Sequence, residues 1–240
     1  MSVYLGEFIG TILLVLLGDG VCCNVSLEKS GFKGGGAVHI LIGWGMAVMV
    51  PAFAMNKFTG CPSAFNPAVT IGIAIRSGDW STVAGQIVAQ LLGGFIGAAI
   101  LILLYGDHIK ATADDDVVRG CFCTGPSIPN TVLNFLSEFV ATFILVFTLA
   151  LIPAGEDRTV WVLVYGVIVA CGASFGGLTG YAMNAARDSA PRLAYQLLAP
   201  NFGKKNPDWG YGWIPLVAPI CGGVVASLLY NALAAAQMFG

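Results

Sequence analysis

The sequence predicts an all-α membrane protein of six transmembrane helices plus two re-entrant half-helices, arranged as two inverted repeats. Three observations lead there. The 240 residues are 57% hydrophobic and only 10% charged, with 32 glycines and a mean hydropathy of +0.81, whereas a soluble domain carries about 25% charged residues to cover itself. Six apolar runs are each long enough to cross a bilayer, which takes about 20 mainly apolar residues. Two shorter stretches, "FNPAVTIGIAI" at 65–75 and "MNAARDSAPRL" at 183–193, each set an asparagine ahead of small residues that can open a helix.

In order, the runs cover 3–23, 37–55, 83–105, 132–152, 159–178 and 212–236. The first is apolar from Leu5 to Leu17 and lacks a basic n-region and a small-residue cleavage site, so it reads as a span and not as a removable signal. The glycines of "GASFGGLTG" blur the end of the fifth. Between the runs lie "SLEKSGFKGGG" (26–36), "GDHIKATADDDVVRGCFCTGPSIPN" (106–130), "PAGEDR" (153–158) and "APNFGKKNPDWGYG" (199–212). Gly, Pro and charge mark these as aqueous loops, with Asp114-Asp115-Asp116 a solvated face of the second.

The two asparagine stretches fall outside the spans. A helix from Asn66 to Ile75 would be ~15 Å long, half a bilayer core, and Arg76 to Asp79 stop it. The stretch from Asn184 is too polar to face lipid. Both read as half-helices, which membranes tolerate only when packed in protein or lining a water-filled cavity. Asn66-Pro67 has the grammar of a helix start, Asn as cap and Pro at the first helical position. A capping Asn accepts from the backbone with its oxygen and leaves its amide nitrogen free to donate into a cavity. Two opposed tips, each backed by the positive end of a helix dipole, would orient one hydroxyl or water, break a continuous water chain and repel cations. Arg187, in the first turn after Asn184, would add a fixed donor fork and a positive charge; the alternative is a surface arginine near a loop. Asp188 reads as a local partner and Arg192 as an interfacial residue.

The chain repeats itself. "GEFIGTILLV" (6–15) matches "SEFVATFILV" (137–146), "AQLLGGFIGAAIL" (89–101) matches "APICGGVVASLLY" (218–230), and Asn66 matches Asn184 in the same order. One channel domain over 1–240 therefore divides into halves of about 1–120 and 121–240. Three spans per half force the second half to enter upside down, which puts a functional site near the midplane. Glu7 and Glu138 lie inside spans, where a charge needs a partner. Two readings are open: a proton relay, or carboxylates that accept from the backbone leading into each half-helix. Their repeat relation favours the second. Small residues at four-residue spacing (Gly6/Gly10, Gly93/Gly97, Gly222/Ala226) let helices approach closely.

Other classes fare poorly. A net charge of −2 argues against nucleic acid as a partner. Seven cysteines, an odd number, lack zinc-ribbon or secreted spacing and read as small packing residues. Cys121-Phe122-Cys123 is read in a loop, where a cross-link or a metal is the minor reading. His39 and His108 lie far apart, and no nucleophile–base pair or metal cluster points to an enzyme or a cofactor.

The residues resemble the aquaporin superfamily and, within it, the glycerol facilitators. The resemblance covers nearly the whole chain: six spans, inverted halves, Glu in spans one and four, Asn66-Pro67-Ala68 and a second box Asn184-Ala185-Ala186, with Asp188 after the arginine as in the glycerol-conducting branch. It implies a homotetramer with a pore in each subunit, a passive mechanism, and both termini cytoplasmic in the cell membrane. It also implies a selectivity filter of Arg187, Tyr181, Gly172 and, by alignment of "IGWGMAV" (42–48), Ile42. Three departures stand out: Ala185 replaces Pro, "GCPSAF" lacks a histidine common in the family, and Ile42 replaces a large aromatic. An aliphatic filter wall implies bulkier cargo. With the N-terminus inside, Lys57, Arg76 and Arg158 are the inner basic residues, and the rest of the eleven lie outside, against the positive-inside rule.

The expected function is passive passage of glycerol and other small uncharged solutes, with water, across the lipid bilayer. Undissociated lactic acid, dihydroxyacetone, urea or hydrogen peroxide are alternative cargoes. A proton-coupled transporter using Glu7 or Glu138 is the rival of another class.

Overall fold

The computed structural model describes residues 3–152 and 159–237; the "PAGEDR" connection with Arg158 lies outside the described residues. In chain order the helices are α1 (Val3–Ser26), α2 (Gly36–Thr59), α3 (Pro67–Ser77), α4 (Val83–Leu104), α5 (Gly106–Ala111), α6 (Asp115–Phe122), α7 (Thr131–Leu151), α8 (Thr159–Thr179), α9 (Ala185–Leu198) and α10 (Trp209–Ala235). Six of them, α1, α2, α4, α7, α8 and α10, are long and apolar enough to cross a membrane. The two half-helices are α3 and α9. The latter runs on past 193 to Leu198, because Ala194 and Tyr195 bury completely and Tyr195 packs on Phe122 of α6 with ring centroids 6.0 Å apart.

Each half-helix packs on the last span of the opposite half, α9 on α4 and α3 on α10. Paired glycines allow it. A Cβ on Gly93 would lie 2.5 Å from the Phe8 carbonyl oxygen of α1, and one on Gly94 would lie 2.5 Å from that of Ala186 in α9. In the other half, Gly222 faces the Phe139 carbonyl of α7, and a Cβ on Gly223 would sit 2.9 Å from the Ala68 carbonyl oxygen of α3. In each pair, one glycine seats its own half's first span and the next seats the other half's short helix. Backbone approach of this kind is what small residues supply between membrane helices.

The segment 106–130 differs from the expected aqueous loop. It folds into α5 and α6, with Ile109, Val118 and Phe122 fully buried; its polar average hides these apolar anchors. The acidic run is no bare solvated face. Asp114 caps α6, accepting from the Asp116 N–H at 2.8 Å, Asp115 pairs with Lys204 at 2.9 Å and Asp116 with Arg119 at 2.8 Å. The Lys204 ammonium is buried and also donates to the Thr112 carbonyl at 2.6 Å.

Candidate functional site

Each half-helix opens on its asparagine in extended backbone. The Asn66 side-chain oxygen accepts from the Ala68 N–H at 2.9 Å, with Pro67 at the first helical position. Asn184 accepts from Ala186 at 2.9 Å and Arg187 at 3.2 Å, so Ala185 keeps the cap without proline. The chain leading into each tip is held by a glutamate from a span. Glu7 accepts from the N–H groups of Ala64 and Phe65 at 3.0 and 2.7 Å and from Gln90 at 2.8 Å. Glu138 accepts from those of Ala182 and Met183 at 3.0 and 2.9 Å and from the Thr179 hydroxyl at 2.7 Å. Ser63, Phe65, Tyr181 and Met183 all take positive φ, between 40 and 55°. Such backbone costs roughly 1–3 kcal/mol per residue and persists only where surroundings over-determine it. The fully buried carboxylates, which gather consecutive N–H groups, do that here.

The tips are bonded to one another. The Asn66 amide donates to the Met183 carbonyl at 2.7 Å, and the Asn184 amide to the Phe65 carbonyl at 2.8 Å. The sequence expectation of a wholly free amide nitrogen is corrected: one N–H of each locks the halves together. An amide has two such hydrogens, so one remains for the cavity that both asparagines line.

That cavity measures about 250 Å³. Its lining is mostly apolar, from the spans through Leu14, Val48, Leu145 and Ile168 and from the half-helix segments through Val69, Ile73 and Met183, with polar groups from Ser63, Asn66, Asn184 and Arg187. Arg187 is 7% exposed, and its guanidinium carbon stands 4.1 Å from the centre of the Trp44 ring. Trp44 is fixed in turn, its indole N–H donating to Cys22 Sγ at 3.3 Å. Tyr181 joins the same wall.

Two expected filter positions move. Ile42 is 47% exposed and is not among the residues that line the cavity. Trp44, two residues on and about 200° around the helix, lies on Arg187 in its place. The alignment of "IGWGMAV" thus picked a residue off the cavity lining, whereas Trp44 lines it and sets an aromatic ring on Arg187. Gly172 is buried behind Tyr181, where a Cβ would come within 2.8 Å of the ring; it makes room for the tyrosine and is not on the wall. Arg192 is also corrected, from interfacial to fully buried. It pairs with Asp188 at 3.0 Å and donates to the carbonyls of Thr124 (2.7 Å), Pro207 (2.5 Å) and Asp208 (3.0 Å). Asp188 also accepts from the N–H and hydroxyl of Thr124 at 2.6 and 2.7 Å. This pair bolts two connecting segments to α9.

The family model described as "Major intrinsic protein" matches residues 1–230. The chain belongs to the major intrinsic protein family. It is 44% identical over 234 residues to a probable glycerol uptake facilitator protein of Thermotoga maritima, covering 96% of this chain and 99% of that one. It is also 44% identical over 235 residues to the glycerol uptake facilitator protein of Bacillus subtilis, covering 97% and 85%. The solved aquaglyceroporin of Plasmodium falciparum superposes with a TM-score of 0.82 at 29% identity, over 98% of this chain and 96% of that one. A major intrinsic protein is a passive multi-pass membrane channel and not an enzyme.

The sequence reading did not single out Trp44 as a cavity residue, nor the second glycine of each pair as the seat of the opposite half's short helix. The adjacent-glycine repeat was a visible signal. Cys121 and Cys123 are free and buried. Cys121 closes α6 instead of lying in an open loop, and burial pushes the Cys123 thiol up from its ordinary range.

Proposed function

We propose that this chain is a passive channel for glycerol and similar small uncharged solutes, with water passing too and protons and ions excluded. The observation that carries the reading is the mixed lining of the cavity, apolar side chains with a few fixed donors. A polyol presents both carbon and hydroxyls, and the apolar lining together with the donors of Asn66, Asn184 and Arg187 matches that pairing. Asn66 and Asn184 donate midway. Arg187, Trp44 and Tyr181 form the filter, where the guanidinium binds hydroxyls and the rings hold the carbon backbone. Glu7, Glu138 and Asp188 support the half-helices. The named facilitators among the relatives favour glycerol as cargo.

With Trp44 at the filter, the reason for preferring bulkier cargo falls, and lactic acid, dihydroxyacetone, urea and hydrogen peroxide become secondary solutes. The proton-coupled rival loses ground because both glutamates are fully buried and absent from the cavity wall. The chain is read as one channel domain of two halves, about 1–120 and 121–240, assembled as a homotetramer in the plasma membrane with both termini cytoplasmic. The outer basic residues that oppose that orientation include Arg187, Arg192 and Lys204, all buried and therefore no part of a free loop charge.

The test is stopped-flow light scattering on proteoliposomes with water, glycerol, urea and lactic acid. Glycerol should re-swell the vesicles well ahead of empty ones. Equal rates for glycerol, with lactic acid alone accelerated at acid pH, would replace glycerol as the main cargo.

A further inference from the structure

The cavity holds a second arginine, remote from the first. Arg76, in the last turn of α3, lines it together with Arg187. Arg187 stands one turn from its own tip, whereas the lining stripe of α3 runs from Asn66 through Ile73 to Arg76, which is about 15 Å at 1.5 Å per residue. A second stripe, Trp44, Val48 and Ala52 of α2, measures the same cavity at about 12 Å. Trp44 carries Arg187 at one end of that stripe. At the other end Phe53 meets Trp161 of α8 edge-on, ring centroids 5.7 Å apart, and Trp161 lines the cavity. The pairing of an arginine with a tryptophan therefore occurs twice along one path.

The Arg76 guanidinium is placed and largely unused. Its carbon stands 5.8 Å from the centre of the Tyr230 ring of α10. One N–H reaches the Ser227 hydroxyl at 3.4 Å, beyond the 2.7–3.2 Å of a good N–H···O bond. A guanidinium carries five N–H donors, and the others meet no acceptor and no carboxylate among the described residues. A purely structural arginine would fasten the end of α3 to α10. Other groups do that already: the Asn231 amide of α10 donates to the Ile75 carbonyl at 3.1 Å, and Gly78 closes the helix on the Ala74 carbonyl at 2.8 Å.

We propose that Arg76 and Trp161 form a second polyol-binding station, at the end of the cavity far from Arg187. The guanidinium donates to hydroxyls and the indole seats the carbon chain. This rests on the reading of the cavity as a glycerol path. Past the asparagines the α3 stripe offers only Val69 and Ile73, and polar groups without partners in apolar surroundings are costly. Waters can bond to one another through that stretch, whereas the several hydroxyls of a polyol must find partners on the wall. Arg76 supplies them, so it favours polyol over water.

The test measures glycerol and water permeation on the same proteoliposomes of full-length protein. Arg76→Leu should lower glycerol permeation roughly fivefold, the order that one net hydrogen bond is worth, with water permeation within about twofold of wild type. Arg76→Lys, which keeps a charge and three donors, should recover part of the loss. Ser227→Ala should leave glycerol permeation at the wild-type level, whereas an arginine that only ties α3 to α10 predicts a fall like that of Arg76→Leu. Unchanged glycerol permeation in Arg76→Leu, an equal loss of glycerol and water, no recovery with lysine, or a matching fall in Ser227→Ala overturns the proposal. Trp161→Ala tests the other half of the station without depending on the folding of an Arg76 variant. It should also lower glycerol permeation relative to water, and an unchanged ratio overturns the proposal. Wild-type vesicles that fail to re-swell in glycerol would instead sink the channel reading beneath it.

Discussion

At the scale of residues, the filter separates what the sequence could say from what it could not. Asn66, Asn184 and Arg187 were legible because capping chemistry and helix position leave few other uses for them. Ile42 was misread because register along an irregular linker cannot be counted from sequence, and two residues on a helix turn a side chain to the other face. That correction is testable. Trp44→Ala should admit larger polyols such as xylitol or ribitol in vesicle re-swelling assays, whereas Ile42→Ala should leave solute preference at the wild-type pattern. The glutamates make a second prediction. Glu138→Ala strands the N–H groups of Ala182 and Met183, and buried unsatisfied donors cost about 1–3 kcal/mol each. Thermal unfolding in detergent should show a loss of about 2–6 kcal/mol; an unchanged midpoint would deny Glu138 its holding role. At Cys123, the burial that raises the thiol also shields it. Maleimide should leave it unlabelled in the folded protein near neutral pH and label it after denaturation.

At the scale of elements, spans and half-helices were readable because length, apolarity and cap grammar are local properties. The short helices α5 and α6 were not, since their anchoring residues are sparse and their partners distant in sequence: Lys204 reaches Asp115 and Thr112 from the far side of the chain. The glycine pairs show both limits. Their recurrence was visible, but the sequence does not say that Gly94 and Gly223 receive the opposite half's short helix. Gly94→Val should cost about 1–3 kcal/mol by overpacking and reduce flux by shifting α9. Gly20→Ala, whose Cβ would meet nothing nearer than 3.6 Å, should leave flux at the wild-type level. Equal effects of the two substitutions on re-swelling would mean that close packing of α4 on α9 does not set the pore.

At the scale of the molecule, the architecture is a clamp between two similar halves. Each half supplies three spans, a carboxylate that organises a strained approach, and an asparagine whose amide bonds the other half's backbone. Closure of the tips and selectivity of the path are then one structural event. The inversion was legible in repeated segments and an odd span count; the tip-to-tip bonding was not, because it joins backbone carbonyls that carry no sequence signature. The most direct measurement runs glycerol re-swelling and proton-gradient decay on the same proteoliposomes. The account expects glycerol to enter much faster than through bare lipid while an imposed pH gradient decays no faster than in empty vesicles. Glycerol entry at the bare-lipid rate, or a pH gradient that collapses along with it, would contradict a selective centre built from two bonded half-helix tips.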